Sequence, residues 1–169
     1  MGLFRDDRRI RPSKSGGFDI RLSDDERALL ASLPGELVEL LDATAGDPEA
    51  LENDPGLARL FPDAYSAADA DLAEEYRRLM TDDLRERHRD ALETMAAGAH
   101  AERVSADELY AWMTALGQLR LVIGTRLGVT EELSQDGIAD DDPSAPAFAL
   151  YGYLSWLQEQ AVEALASTL

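Results

Sequence analysis

Apolar side chains recur every three or four residues over long stretches of this chain, and this spacing constrains the fold more than any other feature. An α-helix has about 3.6 residues per turn, so residues spaced in this way share one face of a helix. Between 106 and 127 apolar residues instead surround the predicted helix, which is typical of a buried position, so we expect this helix at the centre of the core. The apolar residues concerned are Leu109, Trp112, Met113, Leu116, Leu119, Leu121, Val122, Ile123 and Leu127.

Local signals mark where two of the helices begin and end. Residues 23–26 and 105–108 both read Ser-x-x-Glu, the spacing of a capping box, in which Ser and Glu side chains each bind the other residue's backbone amide. Gly128 stands where the left-handed residue that ends a helix is expected. Pro34 lies inside the first predicted helix, and because proline lacks an amide donor and clashes with the preceding turn, we expect a kink or a split there.

The remaining helices are predicted from similar signals. Asp47-Pro48 and Asp54-Pro55 each combine a capping residue with a proline at the first helical position, so short helical turns should follow both. A further apolar stripe predicts a helix over 69–97, either continuous or broken at Thr81, and a last helix should begin near Pro146. The stripe over 69–97 contains Leu72, Tyr76, Met80, Leu84, Ala91 or Leu92, and Met95.

A small β-hairpin is predicted near the N-terminus, with strands at 8–11 and 18–22. Phe18, Ile20 and Leu22 alternate with polar residues, as they would in a half-buried strand. An isolated two-stranded ribbon is only marginally stable, so this hairpin should pack on the helices or pair elsewhere.

Together these signals predict a mainly α protein. We expect a single-domain helical bundle with a kinked first long helix, a buried central helix and a small N-terminal β-hairpin. The length of 169 residues fits one domain. The helical domain should span 18–169, and residues 1–17 should form either a basic, partly mobile arm or part of the hairpin.

The charge of the chain excludes several kinds of partner. Sixteen Lys and Arg against 34 Asp and Glu leave a net charge of −18, which opposes tight direct binding to nucleic acid and to anionic lipid. No apolar run approaches the roughly 18 residues that would span a bilayer, and the first residues lack the apolar run of a signal peptide, so we expect a cytoplasmic protein.

The N-terminus is basic, either as a solvated terminus or as an arm that docks on an acidic partner. The residues of this candidate arm are Arg5, Arg8, Arg9 and Arg11.

No pattern of catalytic, cofactor-binding or metal-binding residues is recognisable. The chain has no cysteine, which removes disulfides, thiolate nucleophiles and any thiol redox switch within it. His88 and His100 lack the spacing of metal ligands, and we expect packed or surface side chains at both. The acidic loop with Asp136 and Asp140 does not have the ligand spacing of a calcium loop. We therefore expect a protein without enzymatic activity, cofactor or metal.

Arg120 and Arg126 interrupt the most apolar helix and are the first candidate site. Buried arginine normally requires a carboxylate partner, so either an internal ion pair or recognition of an anionic ligand would explain them. Gly117 and Gly124 lie on one face of the same helix, where another helix can approach closely.

Three aromatic residues form the second candidate site. Tyr153 and Trp156 lie beside the Leu150/Leu154/Leu157 stripe of the last helix, and Trp112 belongs to the central helix. A wide buried stripe would place them in the core, whereas exposed Trp and Tyr are favoured anchors of protein interfaces. If these side chains are exposed, they form an apolar patch that binds a partner protein or a second copy of the chain.

Three stretches of the sequence together resemble an actinobacterial family of originally unknown function, usually found beside the adaptor of the Clp protease. They are FDIRLSDDERALLASLP at 18–34, ALGQLRLVIGTRLGVT at 115–130 and YGYLSWLQ at 151–158, and the central one is the most specific. In that family a small polar pair such as Asn-Asp typically precedes the Leu-Arg-Leu step, where this chain has Gly117-Gln118.

The resemblance implies a regulatory role. Some members of the family are described as oxidative-stress transcriptional regulators that act with a sigma factor and sense oxidant through cysteines, which this chain lacks. It thus implies a regulatory protein-binding module that contacts the transcription or Clp-linked machinery without a thiol switch. The alternative is a small helical enzyme or ligand-binding domain that uses Arg120 and Arg126 on an anionic ligand; a deep pocket with both guanidinium groups facing solvent would favour it.

Overall fold

Helix α5 (Ala106–Leu127) lies at the centre of the fold, as its sequence predicts, and packs mainly against three other helices. A computed structural model describes residues 7–62, 70–130 and 138–169, without the side chains of 70–73. These main neighbours of α5 are α3 (Pro55–Ala58), α4 (Ala70–Gly98) and α6 (Ala145–Ala166). Helix α1 (Asp24–Ala43) packs mainly against α4. The short helix α2 (Pro48–Glu52) precedes α3 in the chain. The protein is mainly helical, which confirms the predicted fold class.

Both predicted capping boxes are formed. The Ser23 hydroxyl accepts the Glu26 amide at 3.2 Å, and the Glu26 carboxylate accepts the Ser23 amide at 2.7 Å. Ser105 and Glu108 repeat this arrangement at 3.1 and 2.7 Å. Gly128 ends α5 with a φ of 66°, in the left-handed region that favours glycine. The short-range signals therefore place these helix ends correctly.

Helix α1 continues through Pro34 and is not split there. The proline removes one backbone hydrogen bond, the one that the carbonyl of Leu30 would accept. The ring itself is fully buried, and the burial of its apolar surface offsets part of that loss. Helix α4 is likewise continuous across Thr81 and runs through to Gly98.

The N-terminal hairpin is present and belongs to a three-stranded antiparallel sheet. Strand β1 (Ile10–Pro12) pairs with β2 (Phe18–Ile20), and β2 pairs in turn with β3 (Arg103–Val104). The third strand was not predicted because two residues between helices carry no periodic signal. A Cβ atom on Gly17 would lie 2.5 Å from the Val104 carbonyl oxygen, so only glycine allows β3 to approach the turn this closely.

The Arg27 side chain fastens the sheet to the end of α4. Its guanidinium donates to the carbonyl oxygens of Ile20 and Leu22 at 3.0 and 3.2 Å. It also donates to those of Ala99 and Ala101 at 3.0 and 2.8 Å, just beyond the C-terminus of α4. A cation is favoured there because unpaired carbonyls give a helix C-terminus a partial negative charge.

Trp112 is part of the core and not of a partner surface, which corrects the prediction for this residue. Its exposed fraction is 0%, and a Cβ atom on Gly98 would lie 3.2 Å from its indole nitrogen, so α4 lies directly against the ring. A side chain enclosed in this way is not accessible to another protein. The other large side chains that are fully buried include Ile10, Leu30, Leu41, Leu57, Leu92, Met95, Leu109, Leu116, Leu154 and Leu157.

Among the residues that the structure describes, no helix combines the length and the apolar character needed to cross a membrane.

Candidate functional site

Arg120 joins α5 to α6 through neutral groups. Its Nε atom donates to the Ser155 hydroxyl at 2.8 Å, and its Nη1 atom donates to the side-chain oxygen of Gln158. The centre of the guanidinium lies 5.6 Å from the centroid of the Tyr151 ring, close enough for a cation–π contact. None of these partners is a carboxylate, so the ion pair considered for Arg120 is not formed within the described residues.

Two glycines let α6 approach α5 closely enough for these contacts. A Cβ atom on Gly117 would lie 3.0 Å from the Gln158 side-chain nitrogen, and one on Gly124 would lie 2.9 Å from the Tyr151 ring. The predicted close approach at this glycine face is confirmed. It explains how a single arginine on α5 can reach both Ser155 and Gln158 on α6.

Arg126 forms the kind of ion pair that Arg120 lacks. Its guanidinium lies 2.9 Å from an Asp54 carboxylate oxygen, and the other oxygen of Asp54 accepts the amides of Gly56 and Leu57 at the start of α3. Partial burial opposes ionisation of Asp54, but the hydrogen bonds from the Leu57 amide and from Arg126 outweigh it and lower its pKa. Arg126 is therefore compensated and stabilises the contact between α5 and α3.

The structure does not bring Arg120 and Arg126 together in one pocket. Arg120 lines a shallow pocket of about 190 Å³, and Arg126 does not. The second arginine of this pocket is Arg59 at the end of α3, which is exposed and which sequence reasoning missed because an isolated surface arginine carries no distinctive pattern. The pocket, hereafter the Arg59/Arg120 pocket, is lined in addition by Gly117, Leu121, Gly124, Thr125, Val129 and Tyr151.

The second candidate site lies against the basic N-terminal segment. The guanidinium of Arg9 lies 5.8 Å from the Trp156 ring centroid, and its Nε atom lies 3.3 Å from the Glu26 carboxylate. Tyr153 completes the cluster, with its ring 6.1 Å from that of Trp156. Burial and the neighbouring Glu26 carboxylate raise the pKa of Tyr153. Residues considered for two separate partner surfaces thus contact each other within the chain.

The other residues of the candidate basic arm take different positions. Arg5 lies outside the described residues. Arg8 is exposed, whereas Arg11 is half-buried within β1, so this part of the segment is a strand of the sheet. The backbone amide of Arg9 donates to Gln160 on α6 at 3.2 Å, which attaches the segment to the body of the protein.

His88 is a packed side chain with two hydrogen bonds. Its Nε2 atom lies 2.9 Å from the Leu60 carbonyl, its Nδ1 atom lies 2.6 Å from the Gln118 amide nitrogen, and Phe61 contacts its ring edge-on. Burial lowers the pKa of His88; the Leu60 carbonyl opposes this shift and the nearby Arg85 adds to it. In the described ranges no three His, Cys, Asp or Glu side chains are grouped so that they could hold a metal ion.

Arg85 is the most deeply buried charged residue described, with an exposed fraction of 7%. Its Nη1 atom donates to the Leu41 carbonyl and, at 3.0 Å, to the Thr44 hydroxyl, both at the C-terminal end of α1. Its guanidinium lies 5.2 Å from the Phe61 ring centroid, and burial lowers its pKa. These contacts hold α4 against the end of α1, and no local sequence pattern predicted them.

The N-terminal half of α4 carries an exposed apolar face, so the predicted stripe is buried over only part of this helix. Leu79 is 64% exposed, and Tyr76 and Met80 are each 44% exposed. The helix becomes buried only from Arg85 onwards, where it packs against α1 and α5. The helical repeat places Tyr76, Leu79 and Met80 on neighbouring turns of one side, hereafter the α4 face.

Charged residues border the α4 face on both sides. Successive residues of a helix are about 100° apart, which places Glu75 and Asp82 along one edge of the face and Arg77 along the other. All three side chains are exposed. Towards the C-terminus of α4 the face continues into the exposed ion pair of Asp83 and Arg87, whose charged atoms lie 2.6 Å apart. The face is therefore apolar at its centre, acidic along one edge and basic along the other.

Comparison with known proteins assigns the chain to a family and not to an activity. No curated protein and no solved structure matches it. Residues 4–165 match the family described as "Domain of unknown function (DUF2017)". Because this match spans nearly the whole chain, the protein belongs to the DUF2017 family.

Proposed function

We propose that this chain is a regulatory module without enzymatic activity that acts in the cytoplasm by binding another protein through the α4 face. The observation that carries the proposal is the exposure of Tyr76, Leu79 and Met80 on neighbouring turns of one helix. Tyr and Met are enriched at protein interfaces, and an amphipathic helix that enters a groove is a common mode of recognition.

The borders of the α4 face define the chemistry of the partner. An apolar groove would receive Tyr76, Leu79 and Met80. Basic residues on one rim would meet Glu75 and Asp82, and acidic residues on the other rim would meet Arg77. The net charge of −18 further favours a partner whose surface is basic, because opposite charges accelerate the encounter of two proteins.

The link to transcription rests on the family resemblance, which points to sigma factors and the polymerase that they direct. Since this chain has no cysteine, any response of the complex to oxidants that a thiol reductant reverses would require cysteines of the partner. The alternative of a ligand site built jointly from Arg120 and Arg126 has less support, because Arg126 is paired with Asp54 and lies outside the pocket.

A titration of the purified chain with the sigma factors and the RNA polymerase of its native host tests the proposal. Isothermal titration calorimetry should reveal a complex that Leu79→Glu weakens about tenfold or more, because it places a charge at the centre of the apolar face. Val162→Glu on α6 is the matched control, since Val162 is also exposed, at 46%, and lies outside the α4 face. Circular dichroism should show that both variants keep the parent fold.

Two results would overturn the proposal. One is that none of these proteins binds the chain. The other is a complex that Leu79→Glu and Val162→Glu affect equally. Analytical ultracentrifugation of the chain alone checks a different occupant: if Leu79→Glu abolishes self-association, a second copy of this chain covers the α4 face, and the proposed partner is wrong.

A further inference from the structure

We propose that the Arg59/Arg120 pocket binds a small organic carboxylate, with its charged group between the two arginines and its apolar body against Leu121 and Tyr151. This site goes beyond the proposed function. It is formed by residues of α5 and α6, by Arg59 at the end of α3 and by Val129 shortly after α5, and not by the exposed half of α4. Binding at the two surfaces can therefore be measured separately.

The positive charge of this pocket is uncompensated among the residues that the structure describes. The chain has about twice as many acidic as basic residues, and Arg9, Arg103 and Arg126 all find carboxylate partners. Arg59 and Arg120 line one pocket, and neither has a carboxylate partner in the described ranges 7–62, 70–130 and 138–169. Two guanidinium groups that line one pocket without a counter-ion attract an anion.

Arg120 is held in place by α6 and still has N–H groups without a partner in the described residues. Its Nε atom is used by Ser155, and one hydrogen of Nη1 is used by Gln158. Arginine has further N–H groups on Nη1 and Nη2, which lie side by side at the end of the guanidinium and match the two oxygens of a carboxylate. Since α6 already restrains the side chain, a ligand would not have to immobilise it.

One side of the pocket is apolar. Leu121 is among the exposed large apolar residues, and Tyr151, whose ring centroid lies 5.6 Å from the guanidinium of Arg120, lines the same pocket. The volume of about 190 Å³ is smaller than the roughly 300–1,000 Å³ of typical ligand pockets, which limits the ligand to a small molecule. A charged end and an apolar wall together favour an organic carboxylate over an inorganic anion.

Nuclear magnetic resonance titrations with benzoate, benzamide and inorganic phosphate at constant ionic strength test this site. Benzamide has the shape of benzoate but no charge, and phosphate has charge but no apolar body. We expect benzoate to shift the amide signals of Gly124, Thr125 and Val129 in a saturable way at millimolar concentration, as is usual for so small a ligand. Benzamide and phosphate should shift the same signals by much less.

Arg59→Gln should weaken benzoate binding about threefold or more, because it removes one of the two charges. Arg21→Gln is the matched control: Arg21 is also exposed, does not line the pocket, and its loss changes the net charge by the same amount. The Arg59 side chain is exposed and makes no hydrogen bond or ion pair in the part of the chain that the structure describes, so this variant should fold like the parent.

Several results would overturn the proposal. If benzoate causes no saturable shift, the pocket binds no carboxylate. If benzamide shifts these signals as strongly as benzoate, the arginines do not recognise the charge of the ligand. If phosphate shifts them as strongly as benzoate, the apolar wall does not contribute to binding. An equal effect of Arg59→Gln and Arg21→Gln would mean that only the overall charge of the protein matters.

Discussion

The side-chain nitrogen of Gln118 lies 2.6 Å from Nδ1 of His88, a contact that matches a neutral histidine. The amide nitrogen of glutamine can only donate, so Nδ1 must accept. The ring hydrogen is then on Nε2, which donates to the Leu60 carbonyl at 2.9 Å. This arrangement and the burial that lowers the pKa of His88 both favour its neutral form, and the residue connects α4, α5 and the segment after α3.

We predict that the protein loses stability as the pH falls below about 6.5, the ordinary pKa of histidine. The pKa of His88 is lowered in the folded state, so in this range the unfolded chain binds more protons than the folded one. The free energy of unfolding should therefore fall with pH until the pH has passed the lowered pKa. Urea denaturation of the parent and of His88→Gln between about pH 5.5 and 7.5 measures this slope, and the same slope in both proteins would exclude His88 as its cause.

Gly124→Ala should destabilise the protein by about 1–3 kcal/mol, because the new Cβ atom would lie 2.9 Å from the Tyr151 ring and force α6 away. Gly35→Ala is the control, since Gly35 also lies within a helix but has no atom within 4 Å of the new Cβ atom. There alanine should instead stabilise the helix by about 0.5–1 kcal/mol. Thermal denaturation of both variants checks the prediction, and a similar change in both would contradict the close approach of α5 and α6.

Arg85→Met should cost about 2–4 kcal/mol of stability, because the buried Thr44 hydroxyl would lose its donor and the Leu41 carbonyl would keep only the Thr44 hydroxyl as a donor. Methionine retains the apolar stem, so the loss reports mainly on the guanidinium. Arg87→Met on the exposed side of the same helix should change stability by less than about 0.5 kcal/mol. Chemical denaturation of the two variants provides the comparison, and equal effects would show that the contacts of Arg85 add nothing.

Arg9 and Trp156 should be coupled in stability. A cation over an aromatic ring contributes about 0.5–1 kcal/mol at a partly exposed site, so the loss in the double variant Arg9→Ala/Trp156→Ala should be smaller than the two single losses added together. Denaturation of the parent, the two single variants and the double variant completes the cycle. Strictly additive losses would show that the basic segment does not stabilise the protein through Trp156.

Duplex DNA should not bind tightly to this protein alone at physiological salt. The net charge of −18 repels the phosphate backbone, and Arg9 of the basic segment is already paired with Glu26. Fluorescence anisotropy with labelled duplexes at increasing salt is a direct measurement. A specific complex of sub-micromolar affinity that resists salt would contradict the prediction.

Much of the helical architecture could be predicted because its signals are local. The hydroxyl of Ser105 caps an amide three residues further along, and Gly128 supplies a positive φ at its own position, so neither depends on the rest of the fold. The apolar residues all round α5 likewise predicted its central place. Gly117 and Gly124 predicted the close approach of a second helix, although not that this helix is α6.

The candidate site was predicted less well, because it depends on which residues meet across the fold. Arg120 could be singled out as a charge within an apolar helix, but its neutral partners on α6 could not be foreseen. Arg59 is not marked by any sequence pattern, and it belongs to the candidate site only because α3 places it in the same pocket as Arg120. The exposure of Leu79 could not be foreseen either, since a periodic stripe does not say where along a helix its neighbours end.

The sequence by itself determined the helices, their caps and the central position of α5, because these features follow from hydrogen bonds and spacings over a few residues. Only the tertiary structure decided how the charges are used. Arg9 is 151 residues from Gln160 along the chain, yet its amide donates to that side chain, and Arg85 is 41 residues from the Thr44 hydroxyl that it binds. An arginine can satisfy its donors with a carboxylate, a carbonyl or an aromatic ring. Which of these partners an arginine binds depends on the groups that packing brings within its reach. Composition and residue spacing do not contain this information.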